Sequence, residues 1–267
     1  MFYYFDFRTW FTLIRLAARE SNPRQRRGLM KLLLLIVPLR AVAHALFFFL
    51  DGILFPGLWR VKVRAPVFVI GHARSGTTLA HRLLSGDERF STFRYWELML
   101  PSLTEKKLVH LVAWIDRTLL GRRIEKRLDA WEQRKFGPTQ HIHKMGLNIP
   151  EEDDLILQHS CASGFWMTQL PYMGEMDFFH VDQRLPRSRQ RMMRFYRECV
   201  RRQLYLNGSH HIHLSKNPTW CGRVQTLIEV FPDARFVVLY RNPHETIPSL
   251  LKLLHTGWKR RGSMEES

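Results

Sequence analysis

The sequence is short of cysteine and of acidic residues. Cys161, Cys199 and Cys221 are the only cysteines in 267 residues and share no short metal-ligand or redox spacing. An odd, sparse set of this kind builds no disulfide framework, so reduced thiols are expected. The thirteen histidines contain no His-Glu-x-x-His string. His141/His143 and His210/His211/His213 lack a further spaced ligand, and no metal is expected. Internal repeats and low-complexity tracts are also missing. Against 41 Lys+Arg stand 24 Asp+Glu, a formal charge of +17. The partner is therefore polyanionic, which admits nucleic acid, a phosphate-rich ligand or an anionic membrane surface. Apolar residues are plentiful, at 45% hydrophobic and 12% aromatic, enough to bury the core of one globular domain with additions.

Residues 1–64 hold 11 Lys+Arg against 3 Asp+Glu and surround the most apolar stretch, LLLLIVPLRAVAHALFFFL, Leu32 to Leu50. It is long enough to span a bilayer, but Pro38, Arg40 and His44 lie at its middle, and one central Arg costs about 2.5–3.5 kcal/mol on insertion. Arg24, Arg26, Arg27 and Lys31 precede the run, and Phe55 and Trp59 follow it. Three readings stay open: a single span, a helix lying in the membrane interface, and a buried helical hairpin packed on the domain. A cleaved signal peptide fits less well, because the run lies far from Met1 and lacks a small-residue cleavage site.

From Ala65 the pattern becomes α/β. Pro66–Ile70 reads as a buried parallel strand that enters a Gly-bounded turn and then a helix, LAHRLL. A second such unit has a helix over Cys221–Val230, a strand over Arg235–Tyr240 and a helix entered through Pro243. Two strand-turn-helix units predict a parallel sheet flanked by helices. Between them, Arg187–Leu204 places Met192, Phe195, Tyr196, Cys199 and Val200 on one helical face, with Arg189, Arg191, Arg194, Arg197, Arg201 and Arg202 on a face expected to be solvated. The expected organisation is a basic, apolar helical segment over 1–64 and an α/β domain over 65–267, with a helical, acceptor-side insertion over about 100–205.

Residues Val67–Leu84 read VFVIGHARSGTTLAHRLL. Gly71 and Gly76 stand four residues apart, followed by Thr77 and Thr78 at a helix start. Glycines let backbone N–H groups turn inward, and the helix N-terminus adds free donors and the positive end of its dipole. The frame is that of a Walker A loop with Thr77 in place of the Lys and the cation moved to Arg74. Lacking that Lys and a Walker B strand, the loop is expected to bind phosphate without acting as an NTPase.

The string PVFVIGHARSGTTL resembles the 5′-phosphosulfate loop of sulfotransferases, of the bacterial type and of the tyrosylprotein type. Tyr95-Trp96-Glu97, Pro150–Asp153 and Ser215–Pro218 extend the likeness over about Trp59 to Lys259. The resemblance implies a P-loop-type α/β fold and 3′-phosphoadenosine 5′-phosphosulfate (PAPS) as sulfuryl donor, without a metal. It also implies a second anion site for the 3′-phosphate, built from an Arg at a strand end and a Ser eight residues on. Arg241 and Ser249 stand at that spacing. Gly71, Arg74, Ser75, Gly76, Thr77, Thr78, Arg241 and Ser249 are then the expected PAPS ligands. Catalytic roles fall to Arg74 on the leaving phosphate, Lys216 near the sulfonate and Glu97 as base, with His143 in reserve. Pro218 occupies the place of the base His of cytosolic sulfotransferases, so that mechanism does not carry over. The acidic run Glu151–Asp154 is expected to cap a helix.

The acceptor stays open among glycan, lipid, protein tyrosine and small alcohol. Relatives continue in helix beyond the second phosphate loop, so truncation at the C-terminus is expected. Competing readings are a P-loop nucleotide or small-molecule kinase and a non-catalytic basic protein of the membrane surface. The expected location is the cytoplasm or the cytoplasmic side of a membrane, with a single-pass type II protein as the alternative. Nucleic acid becomes the least favoured partner.

Overall fold

The structure, a computed structural model, describes residues 3–137, 145–170 and 172–261. Helices α1 (Phe7–Ala18), α2 (Pro23–Lys31) and α3 (Val37–Leu54) precede strand β1 (Val67–Gly71). Helix α4 (Thr77–Leu84) and the short β2 (Phe90–Ser91) follow. A mostly helical stretch then holds α5 (Tyr95–Met99), α6 (Leu103–Thr118), α7 (Arg123–Phe136), a 3-10 turn over Asp153–Ser160, and α8 (Pro186–Asn207). Strand β3 (Ile212–Lys216), α9 (Val224–Val230), β4 (Arg235–Leu239) and α10 (Pro243–Arg261) complete the order.

The four strands form one parallel sheet in the order β2-β3-β1-β4. Central β1 is buried at every residue, as its continuous apolar run requires when helices cover both faces. Val67, Val69 and Leu214 pack with Ala80 and Leu84 of α4 on one face. Phe68 and Ile70 join Tyr196 and Val200 of α8, with Trp220 and Leu227, on the other. Val69 stands opposite Lys216 on one side and Val237 on the other. The C-terminal ends of β3, β1 and β4 therefore emerge side by side, and the loops after them converge.

The N-terminal helices share these cores. Asp6 caps α1 through the Thr9 N–H at 3.0 Å, and Asn22 caps α2, with Pro23 in its first turn. Leu13, Leu16, Leu29, Leu33 and Val37 pack with Trp166 and Met167, while Phe48 joins the sheet's main core. Helices α2 and α3 form one helix, Pro23–Leu54, interrupted by a π turn at Leu32–Ile36. The turn has a cause in Pro38, whose ring would strike the carbonyl four residues back. Widening the preceding turn, so that the Val37 N–H bonds the Leu32 carbonyl, makes room for it.

The inner face of α3 is locked by polar contacts. Asp51 and Arg202 are fully buried with Oδ2 and Nε 2.6 Å apart, and Asp51 also accepts from the N–H groups of Leu103 and Thr104 that open α6. His44 lies 2.7 Å from Glu105 and Arg40 lies 3.2 Å from His159. The outer face, Leu35, Leu39, Val42, Leu46, Phe49 and Ile53, is exposed. Only 22% of the most apolar 18-residue window of the Pro23–Leu54 helix is buried, so it is packed on the domain along one stripe and bare along the other.

The structure corrects the expected solvated arginine face of α8 in part: Arg191 and Arg194 are exposed, but Arg189 and Arg202 are not. Arg202 is buried against Asp51, and Arg189 is buried with Thr226 and Glu229, each at 2.7 Å. Distant carboxylates supply the counter-charge that a local helical pattern cannot reveal. The thiols of Cys161, Cys199 and Cys221 are free.

Candidate active site

Three loops meet at the strand ends. The first, Gly71 to Gly76, joins β1 to α4. A Cβ on Gly71 would fall 2.4 Å from the Leu239 carbonyl oxygen, so glycine is required where β1 passes β4. Gly76 takes φ +93° as the N-cap of α4. Arg74 is also left-handed, at φ 73°, a conformation that costs a non-glycine residue about 1 kcal/mol and concentrates at functional sites. No side chain caps α4, which leaves its first N–H groups and dipole facing the loop. Ser75 Oγ is buried with no hydrogen-bond partner among the described residues. Thr77 is buried beside it and Thr78 half-buried. The result is a cradle for an anion.

The second loop follows β4. Arg74 Nε donates to Ser249 Oγ of α10 at 2.9 Å, and Arg241 Nη1 donates to the Arg74 carbonyl at 3.4 Å. Arg241 also pairs with Glu245 at 2.7 Å. The two anion motifs thus form one hydrogen-bonded surface, because β1 and β4 are adjacent and parallel.

The third loop follows β3. Lys216 is buried, with Nζ 2.8 Å from Glu152 and 3.8 Å from Glu151. His81 of α4 is also buried here. Burial and then the charge of Lys216 hold its pKa down to about 4, and its Nε2 has no partner among the described residues.

Below this pair, Asp153 accepts from the Tyr196 hydroxyl at 2.5 Å and faces His213 at 3.1 Å. Asp154 accepts from Ser163 and Thr219 and lies 3.5 Å from Arg223. These buried contacts fasten the acidic run to β3 and set Glu152 against Lys216. The capping expected of the run is met only in part: Glu152 stands at the N-cap of the Asp153–Ser160 turn without a side-chain cap bond, while Asp153 and Asp154 lie in its first turn and Asp154 accepts from the Phe165 N–H at the start of the Gly164–Thr168 turn at 3.3 Å. Glu152, read from the sequence only as part of a capping acidic run, and His81 were not among the expected site residues. The available signal for Glu152 was four successive carboxylates in a chain short of acid.

Glu97 sits elsewhere in the local architecture. Its buried carboxylate accepts from the Arg94 N–H at 2.8 Å and from Asn207 Nδ2 at 3.3 Å, closing the first turn of α5. His141 and His143 lie outside the described residues. Among those described, no group of three His, Cys, Asp or Glu could hold a metal ion.

Residues 66–266 match the model of the sulfotransferase family. The omega-hydroxy-beta-dihydromenaquinone-9 sulfotransferase Stf3 of Mycobacterium bovis and that of Mycobacterium tuberculosis are each 27% identical over 194 residues, 70% of this chain and 45% of theirs. The solved sulfotransferase STF1 of Mycobacterium tuberculosis matches 93% of this chain and 64% of its own at 20% identity, with a TM-score of 0.65. STF9 of Mycobacterium avium matches 97% and 64% at 21% identity, with a TM-score of 0.66. The chain spans less than half the length of these curated relatives and under two thirds of the solved ones. The parallel sheet with its helical flanks is the fold of those structures, and with the family model covering nearly everything from β1 onward, the chain belongs to the sulfotransferase family.

Proposed function

We propose that the chain transfers a sulfuryl group from PAPS to a hydroxyl or amine acceptor. One observation carries the reading: the loop of Arg74, Ser75, Gly76 and Thr77 and the pair Arg241 and Ser249 form a single basic surface, suited to a nucleotide with phosphates at both its 5′ and 3′ positions. The unpartnered Ser75 hydroxyl and the uncapped start of α4 fit the 5′ end. When bound, PAPS supplies the activated sulfuryl group. Arg74 neutralises charge developing on the leaving phosphate, while Thr77, Thr78 and the loop backbone from Gly71 hold its oxygens. Arg241 and Ser249 hold the 3′-phosphate.

Lys216 meets the sulfonate oxygens, and the carboxylate beside it takes the acceptor's proton. Glu152 stands ahead of Glu97 for this role, because it is partly open to solvent next to Lys216, whereas Glu97 is held within α5. The relative named for a hydroxylated menaquinone supports a lipid alcohol as acceptor, which fits a chain working at the cytoplasmic face of a membrane.

Adenosine 3′,5′-bisphosphate should raise the melting temperature without Mg²⁺ while ATP with Mg²⁺ does so poorly, since selective binding to the folded state stabilises it. Equal stabilisation by the two would reject the reading.

A further inference from the structure

We infer that the bare face of α3, with the neighbouring surface of α6, lies flat in the interface of an anionic lipid bilayer and delivers the site to a lipid-borne acceptor. The inference rests on the membrane-surface reading above and names the surface responsible.

The apolar stripe is continuous. Leu35, Leu39, Val42, Leu46, Phe49 and Ile53 recur every three or four residues, and each is more than half exposed. Beside it, α6 exposes Leu108, Leu111, Val112 and Trp114. A face of this extent marks a partner surface, and the charge around it says which. Arg24, Arg26, Arg27 and Lys31 are exposed before the stripe, and Arg60, Lys62 and Arg64 after it, next to exposed Trp59. From Ser21 to Gly86 the only acidic residue is Asp51, and it is buried. A surface apolar along its middle, cationic at both ends and free of exposed negative charge complements anionic headgroups over acyl chains.

The inner face fixes the orientation. Asp51 pairs with Arg202, and His44 with Glu105, inside the domain. A helix crossing the bilayer would abandon these buried partners. The same face ties the surface to the site, since the segment that sets Glu152 against Lys216 continues through the Asp153–Ser160 turn to place His159 3.2 Å from Arg40 of α3.

The test is co-sedimentation of the chain with vesicles of phosphatidylcholine alone or in equal parts with phosphatidylglycerol. Binding is expected to the mixed vesicles and to weaken with salt. Leu39→Ser with Phe49→Ser should cut the bound fraction roughly tenfold. Arg26→Glu with Arg27→Glu should remove the preference for phosphatidylglycerol. Melting temperature and its rise with adenosine 3′,5′-bisphosphate should persist in all variants. Vesicle binding without nucleotide stabilisation would support this surface while counting against the sulfuryl-transfer reading. Three results would overturn the inference: binding indifferent to the substitutions or absent, resistance of the expressed chain to alkaline carbonate extraction, or a dimer in light scattering that Leu39→Ser with Phe49→Ser dissolves.

Discussion

Arg74 Nε and Ser249 Oγ are hydrogen-bonded across 2.9 Å although 175 residues separate them. The bond fixes the one cation inside the first anion loop with a hydroxyl from the second. Ser249→Ala should therefore weaken adenosine 3′,5′-bisphosphate binding. Arg241→Ala should go further and erase discrimination between that ligand and adenosine 5′-monophosphate, a loss of roughly 10- to 150-fold for a charge-assisted contact. Isothermal titration of both ligands measures this, and unchanged discrimination would remove Arg241 from the 3′-phosphate site.

The two candidate bases separate by what each substitution damages. Glu152→Gln should abolish sulfuryl transfer while bisphosphate still raises the melting temperature. Glu97→Gln should leave turnover and lower stability by about 0.5–2 kcal/mol, the cost of a weakened helix cap. Turnover lost in Glu97→Gln and kept in Glu152→Gln would exchange the assignments.

For the buried pair Asp51 and Arg202, 2.6 Å apart, Asp51→Leu should cost about 3–5 kcal/mol by stranding a buried cation. Asp51→Leu combined with Arg202→Leu should cost clearly less than the sum of the single changes. Urea unfolding of the four proteins gives the coupling, and additive effects would mean that the two charges act independently.

Two buried histidines make stability depend on acid. In the folded chain the pKa of His81 is held down to about 4, by burial and by Lys216, and that of His159 to about 3, by burial, His44 and Arg40. Both lie below the ordinary 6.5, so the unfolded state binds more protons between pH 6.5 and about 4. Stability should fall as pH falls through that window, with a slope approaching about 1.4 kcal/mol per pH unit for each histidine. His81→Gln should flatten the profile of melting temperature against pH, and an unchanged profile would place the proton uptake elsewhere.

The strands that flank the two proposed phosphate loops were legible because β1 and β4 are short apolar runs ending at turn residues. Strand β3 was not. Its sequence is Ile-His-Leu-Ser-Lys, and the polar members are tolerated in the sheet because Asp153 and Tyr196 satisfy His213 while Trp220 donates to Ser215. Asp153 lies 60 residues from His213 and Tyr196 lies 17 away, so the local periodicity carries no trace of them. The proposed anion ligands Arg74 and Arg241 could be named for the opposite reason: glycine spacing and a strand end are local. Glu152 depends on the packing of Asp153 and Asp154, and Arg202 on a helix 151 residues away, which puts both beyond any local pattern.

The π turn at Leu32–Ile36 has a further consequence. A widened turn accommodates one surplus residue, so it sets the phase between what comes before it and what comes after. Deleting any one of Leu32 to Leu35 would return the helix to regular winding with everything beyond still in phase, whereas deleting one residue between Leu39 and Ala43, with the wide turn still held by Pro38, would rotate the rest of the helix by about 100°. Asp51 would swing away from Arg202, His44 from Glu105, and the bare leucines would turn toward the interior. The wide turn works as a slip joint: it takes up one leucine, so that the same side of a 32-residue helix meets the protein before and after it.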